Sequence, residues 1–148
     1  MRFNGLVVWL LLLSGGGLLV PGREAAGQTV PFYNVDTEKQ VKGIIREILF
    51  EPRYKDRARF LILILEEKQS REIYRAEISP AWFFNYDLHV GESVEIVGSL
   101  YAKEGTRYII ARELQSAGET FLLRDSRGFP TWRGGKIKRA GQRKGRGF

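Results

Sequence analysis

The chain contains no cysteine and one histidine, His89. Disulfide staples, thiolate zinc sites, Cys–His nucleophilic pairs and multi-histidine metal centres are therefore excluded. It also lacks a G-x-S-x-G elbow, a phosphate-binding loop and a dinucleotide fingerprint. Glu66-Glu67 is an adjacent pair in a strand pattern, so the two carboxylates point to opposite faces and cannot work together. His89 lies just before Gly91 at the end of an element, where a histidine is a surface or capping residue. These absences assign no catalytic residue, no metal and no cofactor, and an enzyme is not the expected class.

Acid is missing from one stretch. Residues 133–148 hold Arg133, Lys136, Lys138, Arg139, Arg143, Lys144 and Arg146, with much glycine and no Asp or Glu. The whole chain has 24 Lys/Arg against 17 Asp/Glu, for a net charge of +7. Residues 28–132 carry 15 basic and 16 acidic side chains, so the positive balance belongs to an appendage and the remainder is near neutral. Net charge of this kind governs attraction to anions and says little about fold. No apolar periodicity survives after Trp132, so residues 133–148 read as a disordered basic tail.

Long apolar runs are also scarce. Gly5 to Val20 is the exception, following Arg2 and broken by Pro21-Gly22; Ala25-Ala26-Gly27 then supplies small residues. This is the layout of a secretory signal, residues 1–27, with cleavage after Gly27. The competing reading is a retained anchor formed by residues 5–20. Sixteen residues at ~1.5 Å rise span about 24 Å, short of a ~30 Å hydrocarbon core, and Ser14-Gly15-Gly16-Gly17 weakens a permanent helix. A periplasmic or secreted location is expected.

Residues 28–38 read as a polar lead-in. From Val41 the pattern is β, with strands expected at 41–50, 59–66 and 72–78. In the third, Tyr74, Ala76 and Ile78 alternate with Ile73, Arg75 and Glu77, which places Glu77 on the exposed side. Ser79 and Pro80 then suit a helix start over residues 80–88, with Trp82, Phe83 and Tyr86 as core aromatics. Strands at 93–100 and 107–114 flank the turn Lys103-Glu104-Gly105-Thr106. Residues 119–132 resemble one further hairpin, turning at Asp125–Gly128, with Phe121, Leu123, Phe129 and Trp132 available to pack.

Three strands, a short helix and a two-stranded hairpin give the order of an OB-fold. The expected class is all-β with one short helix: a five-stranded OB-fold-like barrel over 39–132 with its hairpin extension. An open sandwich is the alternative, because strand pattern alone does not separate the two. Val41-x-Gly43, Trp82 and Leu88-x-x-Gly91-x-x-Val94-Glu95-Ile96-x-Gly98 carry a resemblance across residues 39–115. They resemble the small bacterial periplasmic OB-fold proteins, a family linked to stress tolerance. That resemblance implies a binding or protective module without a cofactor, and it transfers no catalytic residue.

OB barrels bind strands between the first-to-second and fourth-to-fifth loops. The first loop offers Arg53, Tyr54, Lys55, Arg57 and Arg59, and the second Tyr101, Lys103 and Arg107, pairing aromatics with cations as strand binding requires. The face between them shows no aromatic platform in the sequence, and an exposed Glu77 would repel phosphate. The tail cations suit nucleic acid, lipid headgroups or cell-wall polymer. The expected function is an exported, monomeric, non-enzymatic binding module for an envelope protein or anionic surface, tethered by the tail. The alternative is an extracytoplasmic single-strand nucleic-acid binder.

Overall fold

The computed structural model describes residues 32–54, 58–134 and 138–139. The leader reading, including cleavage after Gly27, falls outside them. Seven strands form: β1 (Glu38–Pro52), β2 (Arg59–Glu67), β3 (Ile73–Pro80), β4 (Ser93–Lys103), β5 (Thr106–Ser116), β6 (Glu119–Leu122) and β7 (Lys138–Arg139). β1 pairs antiparallel with β2 through its C-terminal part and with β4 through its N-terminal part. β2–β3 and β4–β5 are also antiparallel, and a parallel β3–β5 pairing closes the ring. Closure by that single parallel contact is the OB-fold arrangement and rules out the open sandwich.

β1 serves both neighbours because of Gly43. This residue pairs with Glu67 on one side and Val94 on the other, and a Cβ there would meet the Glu66 carbonyl oxygen at 2.9 Å. A bulge between Ile45 and Glu47 then re-aims the rest of the strand. The interior is filled by apolar residues of all five strands, among them Val41, Ile45, Leu63, Leu65, Tyr74, Ile78, Ile96, Ile109 and Leu114.

The expected helix is absent, and no α-helix occurs among the described residues. Ala81–Phe83 make one turn, closed by the Phe83 N–H donating to the Pro80 carbonyl (2.9 Å); residues 84–89 then cross the barrel end irregularly. Aromatics, Asn85 and Asp87 are poor helix formers, and two turns are marginal alone. Tertiary packing decides instead: Phe83 meets Trp132 (5.8 Å between ring centroids) and Phe84 meets Phe121 (5.2 Å). The segment still plugs the barrel with Phe83, Phe84 and Leu88, but Trp82, expected in the core, is exposed.

β6 returns along β5 after the turn at Ala117-Gly118, both in the left-handed region. Arg124 bridges to Pro130 around the Asp125–Gly128 turn, so the extension is a real reversal. Phe121 and Leu123 are buried and Trp132 packs on the core, whereas Phe129, also expected to pack, is exposed. The tail was expected to be irregular from Arg133. Thr131–Gly134 form a single 3-10 turn, and Lys138–Arg139 pair with Leu122 and Phe121, because β6 leaves one edge unpaired there.

The described part of the lead-in, from residue 32, is tied to the barrel. The Asn34 N–H donates to Ser99 Oγ (3.0 Å), the Tyr33 hydroxyl to Glu38 (2.5 Å), and Arg112 makes two hydrogen bonds to the same carboxylate (2.6 and 2.9 Å).

Candidate functional site

The face bounded by the β1–β2 and β4–β5 loops is organised around Glu77. Alternation along β3 placed this residue in solvent, yet it is 2 % exposed. It sits in register with Ile62 of β2 and Ile110 of β5, both buried outside the barrel core. Two segments fold over it. From the first loop, Arg53 donates to Oε2 through Nε (3.1 Å) and Nη2 (2.9 Å), and the Tyr54 hydroxyl donates to Oε1 (2.6 Å). From the extension, Arg124 Nη2 approaches Oε1 at 3.4 Å.

Arg124 is itself buried, with Nε donating to the Ala111 carbonyl (3.2 Å) and the Trp132 ring 4.7 Å from its guanidinium carbon. Trp132 and Tyr54 both pack edgewise on Phe60, at 6.0 and 5.3 Å. Burial pulls the Arg124 guanidinium below its usual range, against the opposing charge of Glu77. For Arg53, burial acts in the same direction, but the charge and hydrogen bonds of Glu77 win and hold it above the ordinary value. Burial raises the Tyr54 phenol, and the neighbouring carboxylate adds to that. Two guanidiniums around one carboxylate leave the cluster with one net positive charge. Its chemistry is that of a clamp: it fastens a loop and the C-terminal extension to the barrel wall.

Beside the clamp stands an aromatic pair. Tyr101 and Tyr108 lie directly opposite on β4 and β5, with ring centroids 4.8 Å apart and planes 7° from parallel. The Arg53 guanidinium links the clamp to this pair through a 3.2 Å hydrogen bond to the Tyr101 oxygen. Burial raises the Tyr101 phenol, so both of its roles are those of a neutral ring.

Of the sequence candidates, Arg53, Tyr54 and Tyr101 come together here. Lys103 is exposed at the hairpin tip, and Arg59 is exposed at the start of β2. Arg107 is set apart from the clamp, paired with Glu72 at 2.7 Å. Lys55 and Arg57 lie outside the described residues. So do Lys136, Arg143, Lys144 and Arg146; Arg133 is exposed, and Lys138 and Arg139 lie in β7.

The sequence places Glu77 in solvent and Trp132 among packing residues, and gives no role to Arg124 or Tyr108. The last had a readable signal, because the Glu104-Gly105 turn fixes Lys103 opposite Thr106 and hence Tyr101 opposite Tyr108. A separate shallow groove of about 220 Å³, away from this face, lies between Lys42, Lys68, Glu95 and Gln115.

The fold and this face define the chain as an OB-fold barrel. No protein-family model matches it, and no curated protein is similar to it. Among solved structures it is similar to the N-terminal domain of PriB protein from Thermoanaerobacter tencongensis, described as dimeric. That likeness has 20% sequence identity and a TM-score of 0.41, covering 55% of this chain and 97% of that one. The OB assignment stands on the strand order and pairings themselves.

Proposed function

We propose that the chain is a non-catalytic binding module that takes single-stranded nucleic acid on the face between the β1–β2 and β4–β5 loops. The observation that carries this reading is the parallel Tyr101–Tyr108 pair beside Arg53, with Lys103 at the neighbouring hairpin tip. Aromatic faces next to cations support base stacking and phosphate contact without sequence preference. The objection raised by Glu77 weakens, since its charge is engaged by Arg53 and Arg124 within the fold.

A second reading rests on the leader and the tail: an exported module, akin to the small periplasmic OB-fold proteins, held at an envelope protein or anionic surface by its cations. A fluorescent oligo(dT) titration separates the two. In the first reading Tyr108→Ala weakens affinity about tenfold, within the range for losing one stacked base, and does so with or without residues 140–148. If Tyr108→Ala changes nothing while truncation abolishes binding, the barrel face is not the site and the second reading stands.

A further inference from the structure

β1 is bonded on both sides only as far as Ile45. Its pairing with β4 ends at Ile44. Ile45 then accepts from the Gly91 N–H (2.7 Å) and donates to the Glu92 carbonyl (2.9 Å). From Glu47 to Pro52 the strand pairs with β2, and its other edge has no strand partner among the described residues. The phase of the β1–β2 ladder fixes which groups that edge presents. The Arg53 N–H donates to the Ala58 carbonyl (3.3 Å), so Glu47, Leu49 and Glu51 also bond toward β2. Ile48 and Phe50 therefore turn both N–H and C=O outward. Pro52, the next outward position, has no N–H to lose, as suits a strand edge.

This edge is apolar at its centre. Phe50 is 52 % exposed, Leu49 is half-buried, and Ile48 packs only partly against the core. Charge and proline, which blunt exposed edges, stand only at its two ends, Arg46-Glu47 and Glu51-Pro52.

We propose that the edge pairs with the same edge of a second copy of the chain, antiparallel about a two-fold axis at Leu49. The stretch 46–52 is centred on that residue, so reversing it lays it on itself over its whole length. Ile48 then faces Phe50 of the second copy, each such pair exchanging both backbone hydrogen bonds, and the two side chains meet. Leu49 meets its own counterpart on the opposite face of the joined sheet. Other registers lose this match: shifted one way, Ile48 faces Pro52, and shifted the other way, Phe50 faces Arg46 at the bulge. The one unfavourable pair is Glu47 with Glu51 of the second copy, and Arg75, already in contact with Glu51, offsets it. The chain's own tail is a poorer strand for this edge, since residues 140–148 contain no β-branched residue and a single aromatic, the terminal Phe148. The pairing is independent of the nucleic-acid reading, which rests on Tyr101 and Tyr108.

The absence of cysteine lets disulfides report the register. In the proposed pairing Leu49 and its counterpart have Cα atoms about 4.5 Å apart, within disulfide reach, whereas Phe50 and its counterpart are diagonal neighbours at about 7 Å or more. Full-length Leu49→Cys should oxidise to a covalent dimer. Phe50→Cys, though more exposed, should stay monomeric under the same conditions. Sedimentation equilibrium of the unmodified chain, without nucleic acid, should give a dimer that dissociates on dilution, with Phe50→Glu weakening association about tenfold or more. A monomer at every concentration overturns the proposal. So does Phe50→Cys linking as fast as Leu49→Cys, which marks random collision or another register. A dimer that Phe50→Glu leaves unchanged overturns it too, since the contact then lies elsewhere on the barrel.

Discussion

Glu77 shows how a residue can be read correctly by strand period and still be placed wrongly. Alternation put it on the outer face of β3, and that is where its backbone register leaves it. Exposure did not follow, because Tyr54, Arg53 and Arg124 arrive from positions 23, 24 and 47 residues away in sequence. Burial by distant segments has no local signature. The nearest hint was Arg124 itself, a cation ending the apolar run Phe121-Leu122-Leu123. Removing one member of a buried ion cluster leaves the others uncompensated, which costs more than the cluster stabilises when whole. Glu77→Gln should therefore lower unfolding free energy by about 3 kcal/mol, whereas a solvent-exposed glutamate would cost close to nothing. Urea denaturation followed by far-ultraviolet dichroism measures the difference, and a loss near zero would mean that the clamp is not formed in solution.

At the level of elements, the five barrel strands were legible because each has a β-branched or alternating core set bounded by turn residues. Their ends were less so: β1 begins at Glu38 and β4 runs on to Lys103, since ladder hydrogen bonds continue past the last apolar side chain. The helix was misread because Ser79-Pro80 is a genuine start signal, and the signal was outweighed by rings docking on partners the local sequence does not contain. Residues 28–38 read as a polar preface, yet their described part is fixed by Tyr33, Asn34 and Glu38. Hydrogen bonds from Arg112 hold the Glu38 carboxyl below its usual range, against burial, and the Tyr33 hydroxyl adds to the effect. A carboxyl lowered in the folded state stabilises above the unfolded pKa of about 4.3, and that stabilisation is lost as pH falls through the folded value. The melting temperature of the unmodified chain should exceed that of Glu38→Gln at neutral pH and fall more steeply below about pH 5, so that the two curves converge in acid. Parallel curves would show that the Arg112–Glu38 contact contributes nothing to folding.

For the molecule as a whole, charge and fold are separate properties joined by a short connection. The barrel with its lead-in and extension is near neutral, and its cations are largely engaged: Arg46 and Arg71 with Glu66, Arg75 with Glu51, Arg112 with Glu38. Long-range attraction to any polyanion must then come mostly from residues 133–148, while discrimination must come from geometry that the barrel holds fixed. These contributions respond differently to salt. Counterion release lowers log affinity for a single strand by about 0.7 per neutralised phosphate for each unit of log salt, whereas stacking on Tyr108 has little salt dependence. Deleting residues 140–148 removes Arg143, Lys144 and Arg146. If all three contact phosphate, the slope of log affinity for oligo(dT) against log salt should flatten by about 2. Tyr108→Ala should shift the same line downward without changing its slope. A slope unchanged by the deletion would place the phosphate contacts on the barrel or on the cations of residues 133–139, and not on Arg143, Lys144 or Arg146.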